Sequence, residues 1–221
     1  FDSEGANTGG IYDPGSGTFM AKIEKSGVFN VALNEKDFSD IKKEHSQVQK
    51  AIKALASKGV INGRTPTEYE PSDKITRAEV ATLFVLALKK LNANADGGFI
   101  DVKKSDWFFG AAGSSKNQSL IAGYEDNTFR GNTNIPKAQI ISISGRVLAN
   151  EMGYTPPPED EEYPYKFKDD SEIPDWAIGD IYLAEFAGIV SHRVDGLFDS
   201  YEEMTRGNVA VLIWNLYQRI W

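Results

Sequence analysis

The sequence predicts a mainly α protein: three helix-loop-helix repeats that close as a pseudo-threefold trimer around a central helical bundle, with a β-hairpin segment at the N-terminus. Three observations predict it. A short pattern opening with Phe recurs three times in register. Each recurrence carries apolar residues at helical spacing. A unit of about 60 residues is also near the lower limit for burying its own core, so three units gain by packing together.

The first 35 residues read as a linker and hairpin, the tail of an upstream region. Residues 1–17 are rich in Gly, Asn, Asp and Ser and read as loop. Phe19, Ala21 and Ile23 alternate, Lys25-Ser26-Gly27 turns, and Phe29, Val31 and Leu33 alternate again, which is a hairpin signal. A lone hairpin is marginal in water, so it packs on the helical units or ends a β-rich domain. The chain opens on Phe1 without Met or signal peptide, which reads as a processed or excised product with any targeting segment outside it.

The repeats span residues 36–95, 96–154 and 166–221. They open with Phe38-Ser39-Asp40-Ile41, Phe99-Ile100-Asp101-Val102 and Phe167-Lys168-Asp169-Asp170. An apolar turn follows (Gly59 to Gly63, Leu120 to Tyr124, Gly188 to His192), then a loop with an aromatic near its end (Tyr69, Phe129, Phe198). Thr76-Arg77-Ala78-Glu79, Pro136-Lys137-Ala138-Gln139 and Thr205-Arg206-Gly207-Asn208 then open a second helix, 38, 37 and 38 positions after the Phe. Val80, Leu83, Phe84, Ala87, Leu88 and Leu91 form one apolar stripe; Val209, Leu212, Ile213, Leu216 and Ile220 form another; Ile140, Ile143, Val147 and Leu148 form a weaker one. The first helix of the second repeat, Gly110 to Ser115, is small and partly glycine, so a short or frayed helix is expected there. Residues 155–165, four prolines and four acids among them, read as a solvated connection.

Composition excludes several functions. With 24 basic and 32 acidic residues the net charge is −8, against a nucleic-acid footprint, which is basic. The longest apolar run, residues 80–88, is too short to span a bilayer. There is no Cys and only His45 and His192, so thiol chemistry and His-rich metal sites drop out; no metal or cofactor is expected, and both histidines read as surface residues. Nothing singles out a carboxylate pair for glycoside hydrolysis, and no nucleophile elbow or phosphate loop is present. The chain reads as a non-enzyme.

Thr76 and Glu79 form a capping box, which explains both without a ligand. Arg77 is left over. A cation in the first helical turn is disfavoured by the helix dipole, and Lys137 and Arg206 recur at its position, so each calls for an anion: a carboxylate of the same chain, or a ligand. Trp107 and Trp176 precede a first helix at an element boundary, where partial exposure and stacking on a sugar compete with core packing. Asp40, Asp101 and Asp169 are candidate caps of the following helix. Trp214 reads as packing.

These repeats resemble S-layer homology domains, the triple repeats that fasten bacterial surface proteins to the cell wall. Ile75-Thr76-Arg77-Ala78-Glu79 matches fully. Phe99 to Val102 with Trp107, then Ile121 to Arg130, matches closely. The resemblance implies an extracellular wall anchor, monomeric and folded as an intramolecular pseudo-trimer, without membrane insertion. It implies binding of an anionic secondary wall polysaccharide, often pyruvylated on N-acetylmannosamine, in grooves between repeats. By resemblance Arg77, Lys137 and Arg206 are the cations, Trp107 and Trp176 the aromatic walls, Asp40, Asp101 and Asp169 the groove acids, and Gly63 and Gly123 the turns that admit sugar.

The second repeat has Lys137 for Arg, which keeps charge but loses the planar fork. The third has Asn208 for Glu and Ser191-His192 at the Gly-Tyr turn, and the first has Ser46 where the second has Trp107. Unequal grooves are expected, with one or two competent. The rival reading is a protein–protein or surface-lattice module whose grooves have decayed.

Overall fold

The computed structural model describes residues 11–13, 16, 18–20, 26–28, 34–155, 166–190 and 194–221. The elements are strands β1 (Ile11–Asp13) and β2 (Thr18–Met20), and helices α1 (Ser46–Ser57), α2 (Arg77–Ala87), α3 (Phe109–Asn117), α4 (Lys137–Met152), α5 (Asp175–Phe186) and α6 (Arg206–Ile220). Short 3-10 turns at Ser39–Lys43 and Asp170–Glu172 precede α1 and α5. Each repeat thus supplies two helices. The chain divides into two compact units, residues 1–73 with 206–221, and residues 74–205. No described helix is long and apolar enough to cross a membrane.

In the first unit β1 and β2 pair antiparallel, Ile11 opposite Met20 and Asp13 opposite Thr18. This reversal lies upstream of the turn expected at Lys25-Ser26-Gly27, and β1 falls within the stretch expected as loop. The arms of the expected hairpin, residues 21–25 and 29–33, lie outside the described residues. Helix α1 buries Ala51, Ile52, Leu55 and Ala56, and α6 buries Val209, Ala210, Leu212, Ile213, Leu216 and Tyr217; the two pack together. Gly207 stands at the start of α6 because a side chain there would press on the Pro71 carbonyl and on Val48. Trp214 stacks on Tyr217 at 6.0 Å, the packing role expected of it.

In the second unit α2 packs on α3 and α4 packs on α5. The pairing is between successive repeats: a second helix lies against the first helix of the repeat that follows. The small residues of α3 admit the segment that follows α2. The nine residues of α3 make it shorter than α1 or α5, yet Phe109 to Ser115 are all buried, and Cβ atoms added at Gly110 or Gly113 would strike the backbone at Ala93 or Ala95. Gly145 of α4 meets the Asp180 backbone in the same way.

Helix α2 departs from its expected single stripe. It is buried nearly all round, as a helix apolar on every face must be. It also ends early: Lys89 turns left-handed at φ 56°, and Leu91 is exposed.

The segments that lead into the second helices pair with one another. Lys74 lies opposite Thr205, Thr76 opposite Asn134, and Pro136 opposite Glu203. Three pieces of chain from three repeats therefore meet edge to edge within the second unit. The connection at 156–165 and His192 lie outside the described residues, whereas His45 is exposed and accepts from the Gln47 amide at the start of α1.

Candidate functional site

Every repeat ties its loop down in the same way. Asp40 accepts the backbone N–H of Tyr69 at 3.1 Å and of Glu70 at 2.7 Å. Asp101 accepts those of Phe129 at 2.7 Å and Arg130 at 2.8 Å. Asp169 accepts those of Phe198 and Asp199, both at 2.7 Å. Burial raises the Asp169 carboxyl, but the two amides outweigh it and its pKa lies below the usual value. These aspartates therefore do not cap the helix ahead, as the sequence suggested, but clamp the loop beyond it. The clamped aromatic packs on the Phe that opens its own repeat: Phe38 on Tyr69 at 5.7 Å, Phe99 on Phe129 and Phe167 on Phe198 at 5.1 Å. The residue after the aromatic is left-handed in all three loops, Glu70, Arg130 and Asp199.

The loops matter because a helix-start cation lies over each. Arg77 begins α2. Its backbone N–H donates to Thr133, and its guanidinium lies 4.9 Å from the Tyr124 ring and 5.3 Å from that of Phe129. Arg77 is only 6% exposed. Its Nη1 donates to Gln139 Oε1 at 2.6 Å, and its Nε has no partner. Among the described residues no carboxylate pairs with it. Burial pushes its pKa below the ordinary arginine value; Arg146 and Arg130 push the same way, while Tyr124 and the Asp101 carboxylate oppose them. Arg130 stacks on Tyr124 at 3.9 Å and pairs with Asp126 at 2.8 Å. No carboxylate among the described residues forms an ion pair with Arg77, although Asp101 acts on its charge from farther away.

Lys137 repeats the frame and reverses the outcome. Its backbone N–H donates to Glu202, and its ammonium lies 4.9 Å from the Phe198 ring. The ammonium also donates to the Phe198 carbonyl and lies 3.5 Å from Glu202 Oε2. Here a carboxylate of the same chain does answer the cation.

Arg206 begins α6 in the first unit. Its guanidinium lies 4.5 Å from the Tyr69 ring and donates to the carbonyls of Tyr69 at 3.1 Å and Asn62 at 3.3 Å. The Tyr69 hydroxyl donates back to the Arg206 carbonyl.

Trp107 and Trp176 are 65% and 56% exposed, which leaves their faces open. Trp107 stands edge-on to Phe108 at 5.5 Å, and Phe108 stacks on Phe129 at 5.9 Å, beneath Arg77. Gly63 and Gly123 each lie against the Phe that opens its repeat, where a Cβ would strike the ring; Gly123 is left-handed at φ 90°. Their small size serves this packing. Gln139 and Glu202 were not read from sequence as site residues. The signal for Gln139 was there: it stands where Glu79 closes the first capping box, and its own helix begins at Pro136 with no side-chain cap. Among the described residues no three His, Asp or Glu side chains group to hold a metal.

Comparison with known proteins places this geometry. Residues 37–81 and 98–141, the first two repeats, match the S-layer homology domain family. The chain is 30% identical over 211 residues, 96% of its length, to an amylopullulanase of Thermoanaerobacterium thermosulfurigenes. It is 28% identical over 170 residues, 77% of its length, to the surface-layer 125 kDa protein of Lysinibacillus sphaericus, and 31% identical over 114 residues, 49% of its length, to the middle cell wall protein of Brevibacillus brevis. It spans 11%, 14% and 11% of those proteins. These matches put the chain outside the cell, in the wall or surface layer, as an anchoring module. Residues 166–221 lie outside the matched segments, yet they carry the same clamp, aromatic pair and helix-start cation.

Proposed function

We propose that the chain anchors a larger surface protein by binding an anionic wall polysaccharide, of the pyruvylated N-acetylmannosamine type, and that it catalyses no reaction. The observation that carries this is Arg77: a guanidinium held over two aromatic rings, bonded only to a neutral amide, with one N–H unpartnered. A carboxylate of the glycan supplies the missing counter-ion through charge-assisted hydrogen bonds. A helix N-terminus favours the same charge. Trp107, exposed on the same aromatic run, offers a face to the sugar, and Trp176 does so in the third repeat. Asp40, Asp101 and Asp169 act as positioning residues that hold the loops beneath the cations. On this reading the chain acts as a monomer.

The net charge of −8 repels an anionic polymer at long range, so affinity comes from short, directional contacts. Calorimetric titration with purified wall polysaccharide, native and stripped of its acidic ketals, tests this. Arg77→Ala should weaken binding of the native polymer by roughly 10- to 100-fold, the worth of one charged hydrogen bond. Equal affinity for the stripped polymer would overturn the reading. Absence of binding to either form would favour a lattice or protein–protein contact.

A further inference from the structure

The two cations of the second unit differ in what answers their charge. We propose that Glu202 is a built-in counter-ion that closes the Lys137 groove to ligand, leaving Arg77 as the ligand-accepting cation of that unit. The inference rests on the anchor reading above and names which groove performs it.

Thr133 and Glu202 hold equivalent positions, since their carbonyls accept the backbone N–H of Arg77 and of Lys137 respectively. At that position the Arg77 groove presents a hydroxyl and the Lys137 groove a carboxylate, 3.5 Å from the ammonium. A second position changes in the same sense. The residue after the loop aromatic, left-handed and bonded to the clamping Asp, is Arg130 beside Arg77 and Asp199 beside Lys137. At this position one groove therefore carries an arginine, itself paired with Asp126, and the other an aspartate. Arg77 completes the contrast with its neutral partner Gln139, its unpartnered Nε and its 6% exposure. A glycan carboxylate entering the Lys137 groove would have to displace Glu202, which is tethered in place. It would also meet a point charge already bonded to the Phe198 carbonyl, with no fork to grip it.

The test counts sites by calorimetry on the full chain, with wall polysaccharide fragments carrying pyruvyl ketals as the probe. Arg77→Ala should remove one site. Glu202→Gln, a conservative change at a partly exposed side chain, combined with Lys137→Arg should add one, and Asp199→Arg should tighten it further. Unchanged stoichiometry in that double variant, with melting temperature retained, would overturn the inference. So would loss of a site in Lys137→Gln with Arg77 intact. If the unaltered chain binds no fragment, the anchor reading itself fails and this inference falls with it.

Discussion

Arg77 and Lys137 begin equivalent helices, donate equivalent backbone bonds and lie over equivalent rings. One lacks an ion-pair partner among the described residues; the other is paired. The comparison separates two layers of the repeat. The backbone frame, made of clamp, aromatic pair and helix-entry pairing, is common to both places. The charge that lines it is not. Conservation of the frame in all three repeats says that each repeat folds alike. It does not say that each binds alike.

The frame can be broken first. Phe99→Ala and Phe167→Ala each remove a buried ring on which a loop aromatic rests, and each should lower stability by about 3–5 kcal/mol, read from urea unfolding. A large loss in one and a small loss in the other would show that the frame is not shared. Asp101→Ala and Asp169→Ala should each cost about 1.5–3 kcal/mol, since a carboxylate that accepts two amides is removed in both. Thr76→Ala should cost about 1 kcal/mol through loss of the capping box. Pro136→Ala should cost less, because no side chain caps α4.

The smallest effect is a titration. Asp126 has its pKa lowered from 3.8 to about 2 by hydrogen bonds from the Thr128 hydroxyl, from Arg130 and from the Thr128 amide. A carboxyl whose folded value is depressed contributes stability at pH above its unfolded value and loses it as pH falls through the folded one. Its contribution should therefore be complete above pH 3.8 and fade towards pH 2, followed at the Asp126 carboxyl by NMR. Titration near 3.8 would show that neither Thr128 nor Arg130 holds the Asp126 carboxylate.

Much of the frame was legible in the sequence. The recurrence of Phe, apolar turn, aromatic and helix-start motif placed six helices and their order, because burial and capping act locally and leave periodic marks. The Thr76 to Glu79 box was read as built, for the same reason. What was not legible depends on partners distant in sequence. Asp101 looks like a cap for the next helix, but its amides come from Phe129 and Arg130, 28 and 29 residues on. The end of α2 was read too late because Leu91 continues the stripe while Lys89 breaks the backbone. Glu202 carries no local signal of its charge role, and the capping-box position of Gln139 does not name its partner, since each acts on a cation 62 or 65 positions away.

The handover of helices from one repeat to the next has a consequence for how such a gene can change. The stretch that recurs in the sequence is not the body that packs in space: α2 leans on α3, and α4 on α5. Excising the middle repeat at its sequence borders would therefore remove α3 and α4 together and leave α2 and α5, each stripped of its own partner, to re-pair with one another. A recombination that respects packing must cut inside the loops, between a first helix and the second helix of the same repeat. The crossover points tolerated by the fold are thus offset by half a period from the borders that similarity alone would draw.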